Sequence, residues 1–310
     1  MQIYSAADLL SANMADELLL VKPFMPVGGQ CLLYGKRGLG KTQLAHTLAI
    51  DVALGQPFLG MFETVQCNVV YVQADIPPAL QKDRYSRIVK HLSLDKQFPL
   101  WYLISPGSFD TLDAIGNEAS WIEDLRAVSP GLVIIDTLRK AHRMDENLSS
   151  TVVDVYAAWR YICGPDATIL YIHHDRKSFD GGSSDEDFRG SGAWLDEADL
   201  GMHMRSSRTG LTLEWSKVRT CSEDDVRPVG LRMDADSLLM IPDDPVEAFI
   251  KDAMMRNVPK AVIAAAATDT KRWGSQALGK TTAYRRLESY DGDQIGRGRP
   301  RRIANNEDES

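Results

Sequence analysis

Residues 35–42 read Gly-Lys-Arg-Gly-Leu-Gly-Lys-Thr, which satisfies the spacing Gly-x-x-x-x-Gly-Lys-[Ser/Thr]. Glycines at these positions let backbone N–H groups turn inward around an anion, while the lysine and the hydroxyl supply a cation and a metal ligand. The pattern predicts a phosphate-binding loop for ATP, in which Lys41 reaches the β and γ phosphates and Thr42 binds magnesium. A glycine-rich turn without a ligand is the alternative. The predicted nucleotide contacts are Gly35, Lys36, Arg37, Gly38, Leu39, Gly40, Lys41, Thr42 and Gln43.

A second acidic position completes the predicted metal site. Pro130-Gly131 precedes four apolar residues that end in Asp136. A buried strand that ends in a carboxylate is suited to deliver that group to magnesium beside the phosphates. We therefore predict Thr42 and Asp136 as the metal ligands.

Hydrolysis also requires a group that orients or deprotonates a water molecule in line with the γ-phosphate. The candidate is Asp75, which follows the strand-like run 69–73 and precedes Ile76-Pro77-Pro78. Its carboxylate is expected at the C-terminal end of that strand. A turn acid in front of two prolines is the alternative interpretation.

The elements around these residues alternate between strands and helices. A short apolar run at 30–34 meets the glycine-rich turn, and the segment from Lys41 places apolar residues at helical spacing until Gly55 and Pro57. This alternation predicts an α/β fold with a mainly parallel central sheet flanked by helices. The later strands are compatible with antiparallel pairing. Further strands are predicted at 69–73, 100–105, 132–136, 168–173 and 211–215.

Length and composition limit the possible classes. The chain has 310 residues, 44% of them apolar, and no apolar run approaches the roughly 18 residues of a membrane helix. The N-terminus lacks a basic segment followed by an apolar core, so we expect a cytoplasmic protein. A change of character near Pro242 and Pro245 predicts two domains, residues 1–245 for the ATPase and 246–310 for a small helical unit.

The motifs resemble those of RecA-like hexameric helicases, particularly the plasmid RepA type and more distantly DnaB. The segment Phe24–Gly29 is similar to that family's lead-in to the phosphate loop, and Val70–Pro77 to the strand that ends in its catalytic glutamate, with Asp75 at that position. The resemblance, over about residues 18–232, implies a RecA-like P-loop NTPase. It also identifies His174, at the end of Ile169–His174, with the sensor of the γ-phosphate.

The same resemblance implies DNA contacts and shared sites. The polar segment after His174 matches the place where these proteins contact single-stranded DNA, with Arg176, Lys177 and Arg189 as its basic residues. Lys217 and Arg219 resemble the Lys-x-Arg pair that reaches the ATP of the neighbouring subunit. The resemblance therefore implies a ring-like homo-oligomer, of six subunits in this family. Two exposed basic residues on an edge strand are the alternative for this pair.

Charge is distributed unevenly along the chain. Residues 251–303 hold 12 Lys and Arg against 5 Asp and Glu, a local +7 that leaves −15 for the rest of a chain with net charge −8. Residues 280–287 resemble the recognition helix of helix-turn-helix units and residues 296–302 resemble an AT-hook, which favours duplex DNA as a partner. A helical cap or a surface for partner subunits is the alternative. The predicted DNA contacts here are Arg285, Arg286, Arg297 and Arg299.

Three functions remain compatible with this sequence. The first is an ATP-dependent helicase or translocase of the RepA type that moves on single-stranded DNA in replication, with ATP and Mg²⁺ as cofactors. The second is an ATP-gated DNA-binding protein, such as a recombination mediator or a replication initiator, without strand separation. The third is a regulatory ATPase whose C-terminal helices bind protein.

Overall fold

The computed structural model describes most of the chain in two compact units, residues 1–243 and 244–310. The boundary lies two residues before the position suggested by the sequence. No helix among the described residues is long and apolar enough to cross a membrane. The described residues are 5–6, 8, 19–74, 76–94, 98–105, 110–144, 148–174, 192–207, 210–222, 225–243, 246, 249–250, 253–254, 258–269 and 277–296.

Eleven strands lie in the described part of the first unit. They are β1 (Leu19–Val21), β2 (Met25–Pro26), β3 (Gln30–Gly35), β4 (Val69–Gln73), β5 (Leu100–Ile104), β6 (Leu132–Asp136), β7 (Thr168–His174), β8 (Leu200–Ser207), β9 (Gly210–Val218), β10 (Val229–Met233) and β11 (Met240–Pro242). Nine of these strands form one sheet in the order β11-β10-β9-β8-β3-β7-β6-β4-β5.

Neighbouring strands pair in parallel along the run β8-β3-β7-β6-β4-β5. On its other side β8 pairs antiparallel with β9, and β9, β10 and β11 continue this antiparallel pairing. The predicted α/β class with a mainly parallel central sheet flanked by helices is therefore confirmed. Strand β7 separates β3, which leads into the phosphate loop, from β6, which ends in Asp136. Because all three strands run in the same direction, their carboxyl ends lie at one edge of the sheet.

Helices cover both faces of the sheet. Successive residues of β6 point to opposite faces, so that Leu132 and Ile134 join one hydrophobic core and Val133 and Ile135 the other. The first-unit helices are α1 (Lys41–Leu54), α2 (Pro78–His91), α3 (Thr111–Gly116), α4 (Ser120–Val128), α5 (Ser149–Cys163) and α6 (Gly192–Glu197), with a 3₁₀ turn at Leu138–Lys140.

Helix α1 has the boundaries predicted from the sequence. It begins at Lys41, directly after the glycine-rich turn, and its C-cap is Gly55 with φ of 65°. The N–H of Gly55 donates to the carbonyls of Asp51 and Val52, which satisfies the end of the helix. The phosphate loop is thus held between a buried strand and a helix that contributes Leu44 and Leu48 to the core.

The sequence did not predict strands β8, β10 and β11. Strand β8 reads Leu-Gly-Met-His-Met-Arg-Ser-Ser and lacks a continuous apolar run. It is a strand because β3 pairs with it on one side and β9 on the other. Tertiary pairing here overrides a weak local preference.

The second unit is helical in its described part. Helices α7 (Lys260–Ala267) and α8 (Lys280–Gly296) contribute to a small core with residues of the segment 246–253. Helix α7 follows Pro259, which is a favourable residue at a helix start. The core comprises Val246, Ile250, Ala253, Ile263, Ala264, Ala267, Ala283 and Leu287.

Candidate nucleotide site

The phosphate loop lies at the carboxyl end of β3 and continues directly into α1. Gly38 and Gly40 adopt φ of 85° and 91°, a left-handed conformation that residues with a Cβ rarely take. A Cβ on Gly40 would also lie 2.0 Å from the terminal methyl carbon of Met240. The backbone path of the loop therefore favours glycine at both positions.

Replacing Gly40 by alanine is expected to lower the free energy of unfolding by about 1–2 kcal/mol, because the side chain opposes the left-handed backbone. The Met240 methyl can move, so the backbone conformation sets most of the cost. Urea unfolding measures the change. Gly116→Ala is the matched control, since a Cβ there meets no atom within 4 Å. Equal stability of the two variants would contradict this conformational account.

Lys41 is the first residue of α1 and is 3% exposed. Its Nζ donates to the carbonyl oxygens of Gly35, at 2.6 Å, and Lys36, at 2.9 Å. The ammonium group is thus held against the loop that surrounds the predicted phosphate position. This is the position from which a lysine can neutralise phosphate charge.

A cavity of about 480 Å³ opens beside the loop. Gly38 to Gln43 form one wall, and His174 at the end of β7 contributes to the lining. The structure therefore brings most of the predicted nucleotide contacts together with the predicted sensor histidine. Gly35, Lys36 and Arg37 belong to the loop but do not line this cavity.

The remaining wall was not predicted from the sequence. Apolar side chains of β9, β10 and β11 lie opposite the loop, together with Arg232. Thr47 of α1 holds β11 in place, since its hydroxyl donates to the carbonyl of Met240 at 3.1 Å and accepts from the Met240 N–H at 3.0 Å. The apolar lining residues are Leu211, Leu231, Met233 and Met240.

Arg84 is a further cation in the cavity lining that the sequence did not single out. It lies on α2 and is half-buried. Nothing in the local sequence distinguishes it from Arg87 on the same helix, because only the packing of α2 against the loop decides which arginine faces the cavity. A second cation in the lining of the cavity increases the capacity of the site for a polyphosphate.

Asp136 lies at the carboxyl end of β6 and is 1% exposed. Its Oδ2 accepts a hydrogen bond of 2.8 Å from the hydroxyl of Tyr71 on β4. A buried carboxylate oriented by a neighbouring hydroxyl has the surroundings of a metal ligand. With the hydroxyl of Thr42 it offers hard oxygen donors, which suit Mg²⁺. The donor set therefore fits a magnesium ion.

A buried histidine connects the helix of the phosphate loop with its surroundings. His46 Nδ1 lies 2.7 Å from the carbonyl oxygen of Thr42, and Nε2 lies 2.9 Å from the side-chain nitrogen of Gln81 on α2. Its ring stacks on Tyr71 with centroids 4.3 Å apart. Burial lowers the pKa of His46 to about 4, so that the ring is neutral near pH 7. The sequence offered no signal for this cluster.

Neither Lys217 nor Arg219 is among the described residues that line the cavity of their own chain. Lys217 Nζ donates to the carbonyls of Leu195 and Asp196. Burial and the charge of Arg219 lower the pKa of Lys217. Arg219 is 56% exposed and pairs with Asp199 at 2.9 Å.

The other predicted residues lie in the second unit or outside the described part of the chain. Arg285 is exposed and Arg286 half-buried on α8 of the second unit. Asp75, the predicted base, and the predicted DNA contacts Arg176, Lys177, Arg189, Arg297 and Arg299 lie outside the described residues. Their roles remain predictions.

Comparison with known proteins gives a family match and a structural likeness. A family model described as an AAA domain matches residues 5–180, which is more than half of the chain and includes the phosphate loop and Asp136. A KaiC-like protein from the hyperthermophilic archaeon Pyrococcus horikoshii OT3 is similar in structure, with 12% sequence identity and a TM-score of 0.44. That likeness covers 74% of this chain and 97% of the archaeal chain.

Proposed function

Because this chain belongs to the AAA domain family and is a P-loop ATPase, we propose that it is an ATP-driven translocase that moves on single-stranded DNA. The proposal includes helicase activity of the RepA type and a ring-like homo-oligomer, with six subunits as the first expectation. Mg²⁺ accompanies ATP in the site.

The position of Arg219 is the main support for this proposal. It is exposed, and it does not line the nucleotide cavity of its own chain. An arginine that is to stabilise the transition state of phosphoryl transfer must reach a nucleotide. For Arg219 that nucleotide belongs to a neighbouring subunit, so ATP hydrolysis depends on assembly.

Within one subunit the roles follow from position and chemistry. Lys41 and Arg84 line the cavity from the loop and from α2 and would neutralise phosphate charge there. Thr42 and Asp136 would hold Mg²⁺, which would supply a further positive charge. Asp75 orients the attacking water, as its place after β4 suggests. His174, at the end of β7, lines the same cavity and detects the γ-phosphate.

A regulatory ATPase is the second candidate, and the charge of the chain favours it. Residues outside 251–303 carry a formal charge of −15, which opposes binding of a polyanion. In this alternative the second unit binds protein, and DNA does not alter the rate of ATP hydrolysis.

The ATPase rate without DNA, with single-stranded DNA and with duplex DNA distinguishes the candidates. We expect a several-fold stimulation by single strands and an activity per subunit that rises with protein concentration, because Arg219 acts across an interface. The measurement is made at low and high protein concentration, in low and moderate salt, since contacts to phosphates weaken as salt rises. A rate that is indifferent to all DNA supports the regulatory ATPase. Equal stimulation by duplex and single strands supports the ATP-gated DNA-binding protein.

The double substitution of Arg285 and Arg286 by alanine tests whether the second unit contributes to DNA binding independently of the first unit. If single strands bind only to the first unit, this variant retains stimulation by single strands and loses affinity for duplex DNA. Retained affinity for both kinds of DNA supports protein binding by α8.

A further inference from the structure

The end of β6 that carries Asp136 is connected to α1 and α2 by a chain of buried side chains. Tyr71 lies opposite Ile134 in the register of β4 and β6, and Asp136 lies two residues further along the same face. The hydroxyl of Tyr71 reaches across this diagonal to Asp136 Oδ2, at 2.8 Å. Tyr71 is 0% exposed, so bulk solvent does not reach its side chain.

His46 fixes the ring of Tyr71 from the side of α1. The two rings stack with an interplanar angle of 26°. The Thr42 carbonyl can only accept, so His46 Nδ1 donates to it. His46 Nε2 then accepts from the amide of Gln81. Both ring nitrogens are thereby engaged, and the orientation of the imidazole is fixed by α1 and α2.

We propose that Tyr71 is a positioning residue for the metal site. Its hydroxyl orients the Asp136 carboxylate, and His46, held by Thr42 and Gln81, orients Tyr71. The first turn of α1, which carries Thr42, and the end of β6 are thus kept in a fixed relation. Both predicted magnesium ligands depend on this one cluster.

The inference rests on the proposed Mg²⁺–nucleotide site, and it deepens that proposal by naming what prepares the site. Oxygen ligands of metals are themselves oriented by hydrogen bonds, and loss of such a partner costs about 10- to 100-fold in metal affinity. A hydroxyl that donates to a carboxylate within a buried core is a strong bond of this kind.

The test is Tyr71→Phe, which removes the hydroxyl and keeps the ring that stacks on His46. Binding of a fluorescent ADP analogue is measured in EDTA and then across a titration of Mg²⁺. We expect unchanged affinity in EDTA and a roughly 10-fold higher Mg²⁺ concentration at the midpoint. An unchanged or lower midpoint overturns the proposal and leaves Tyr71 with a packing role.

Tyr171→Phe is the matched control. Tyr171 is also a fully buried strand tyrosine, and its hydroxyl donates to Gln30 Oε1 at 2.7 Å, near the amino end of the strands. It is expected to retain the wild-type Mg²⁺ midpoint. A shift as large as that of Tyr71→Phe would mean that loss of any buried hydroxyl disturbs the site, and would overturn the specific role of Tyr71.

Gln81→Leu tests the outer part of the cluster, because it removes the contact to His46 without touching Tyr71. We expect a smaller rise of the Mg²⁺ midpoint in the same direction. No rise overturns the part of the proposal that assigns orientation to Gln81. If nucleotide binding to the wild type does not respond to Mg²⁺, the proposed metal site itself fails, which is distinguishable from a failure confined to the variants.

Discussion

Replacing Lys41 by alanine is expected to lower the rate of ATP hydrolysis by at least about 10²-fold, because the site loses the cation that stabilises charge on the transferred phosphoryl group. In the structure its Nζ lies 2.6 Å from the Gly35 carbonyl and 2.9 Å from the Lys36 carbonyl, so the group is already placed within the loop. Nucleotide affinity should also fall. Steady-state ATPase rates and nucleotide titrations measure both effects.

Lys41→Arg is a sharper companion variant. It keeps the charge, but a planar guanidinium cannot occupy the position of a compact ammonium group between two carbonyl oxygens. We therefore expect it to be inactive as well. Lys90→Ala, an exposed lysine in the last turn of α2, is the control that should retain activity. A Lys41→Ala variant that hydrolyses ATP within a few-fold of the wild-type rate would refute the phosphate-site assignment.

Replacing Arg219 by alanine is expected to lower the ATPase rate by about 10³-fold, in the range found for arginines that act on transferred phosphates from outside the loop. Nucleotide affinity should change little, because Arg219 does not line the cavity of its own chain. Rates at saturating ATP and a separate nucleotide titration distinguish these two quantities.

Two controls exclude a merely structural effect of the Arg219 substitution. Asp199→Asn removes the charge that pairs with Arg219 and retains an oxygen for the N–H of Gln30. If loss of the internal ion pair caused inactivation, this variant would be inactive too. Arg227→Ala removes another exposed arginine of the first unit and should leave the rate unchanged.

Mixing the two inactive variants tests action between subunits directly. A Lys41→Ala subunit still offers Arg219, and an Arg219→Ala subunit still has an intact phosphate loop. Random assembly therefore restores about one quarter of the interfaces, and activity should reappear on mixing. If the two variants are shown to assemble together and no activity is recovered, the assignment of Arg219 to the site of a neighbouring subunit is wrong.

Local sequence patterns were sufficient to predict a feature when the residues that form it are close together in the chain. The phosphate loop requires glycines and a lysine at fixed spacing, and its position between β3 and α1 follows from an apolar run on one side and helical spacing on the other. The strand that ends in Asp136 is fully buried, so its four apolar residues identify it without knowledge of its neighbours. The alternation of such strands with helices along the chain was enough to predict the α/β fold class.

Other features depend on contacts that no local pattern encodes. Strand β8 exists because β3 and β9 pair with it, although its own residues are mixed in character. The apolar wall of the cavity is formed by side chains of β9, β10 and β11. Strand β11 is held by a hydrogen bond between Thr47 and Met240, which lie 193 positions apart in the chain. Which arginine of α2 lines the cavity depends on how that helix packs.

By itself, the sequence of this protein determined the phosphate loop, the strand that carries Asp136 and the alternation of strands with helices, because each depends on residues within a few positions of one another. Only the tertiary structure decided that Tyr71 donates to Asp136, that His46 stacks beneath it, and that Arg84 enters the cavity. The physical reason is that hydrogen bonds and ring contacts between distant segments depend on strand register and helix packing, which residue spacing does not specify.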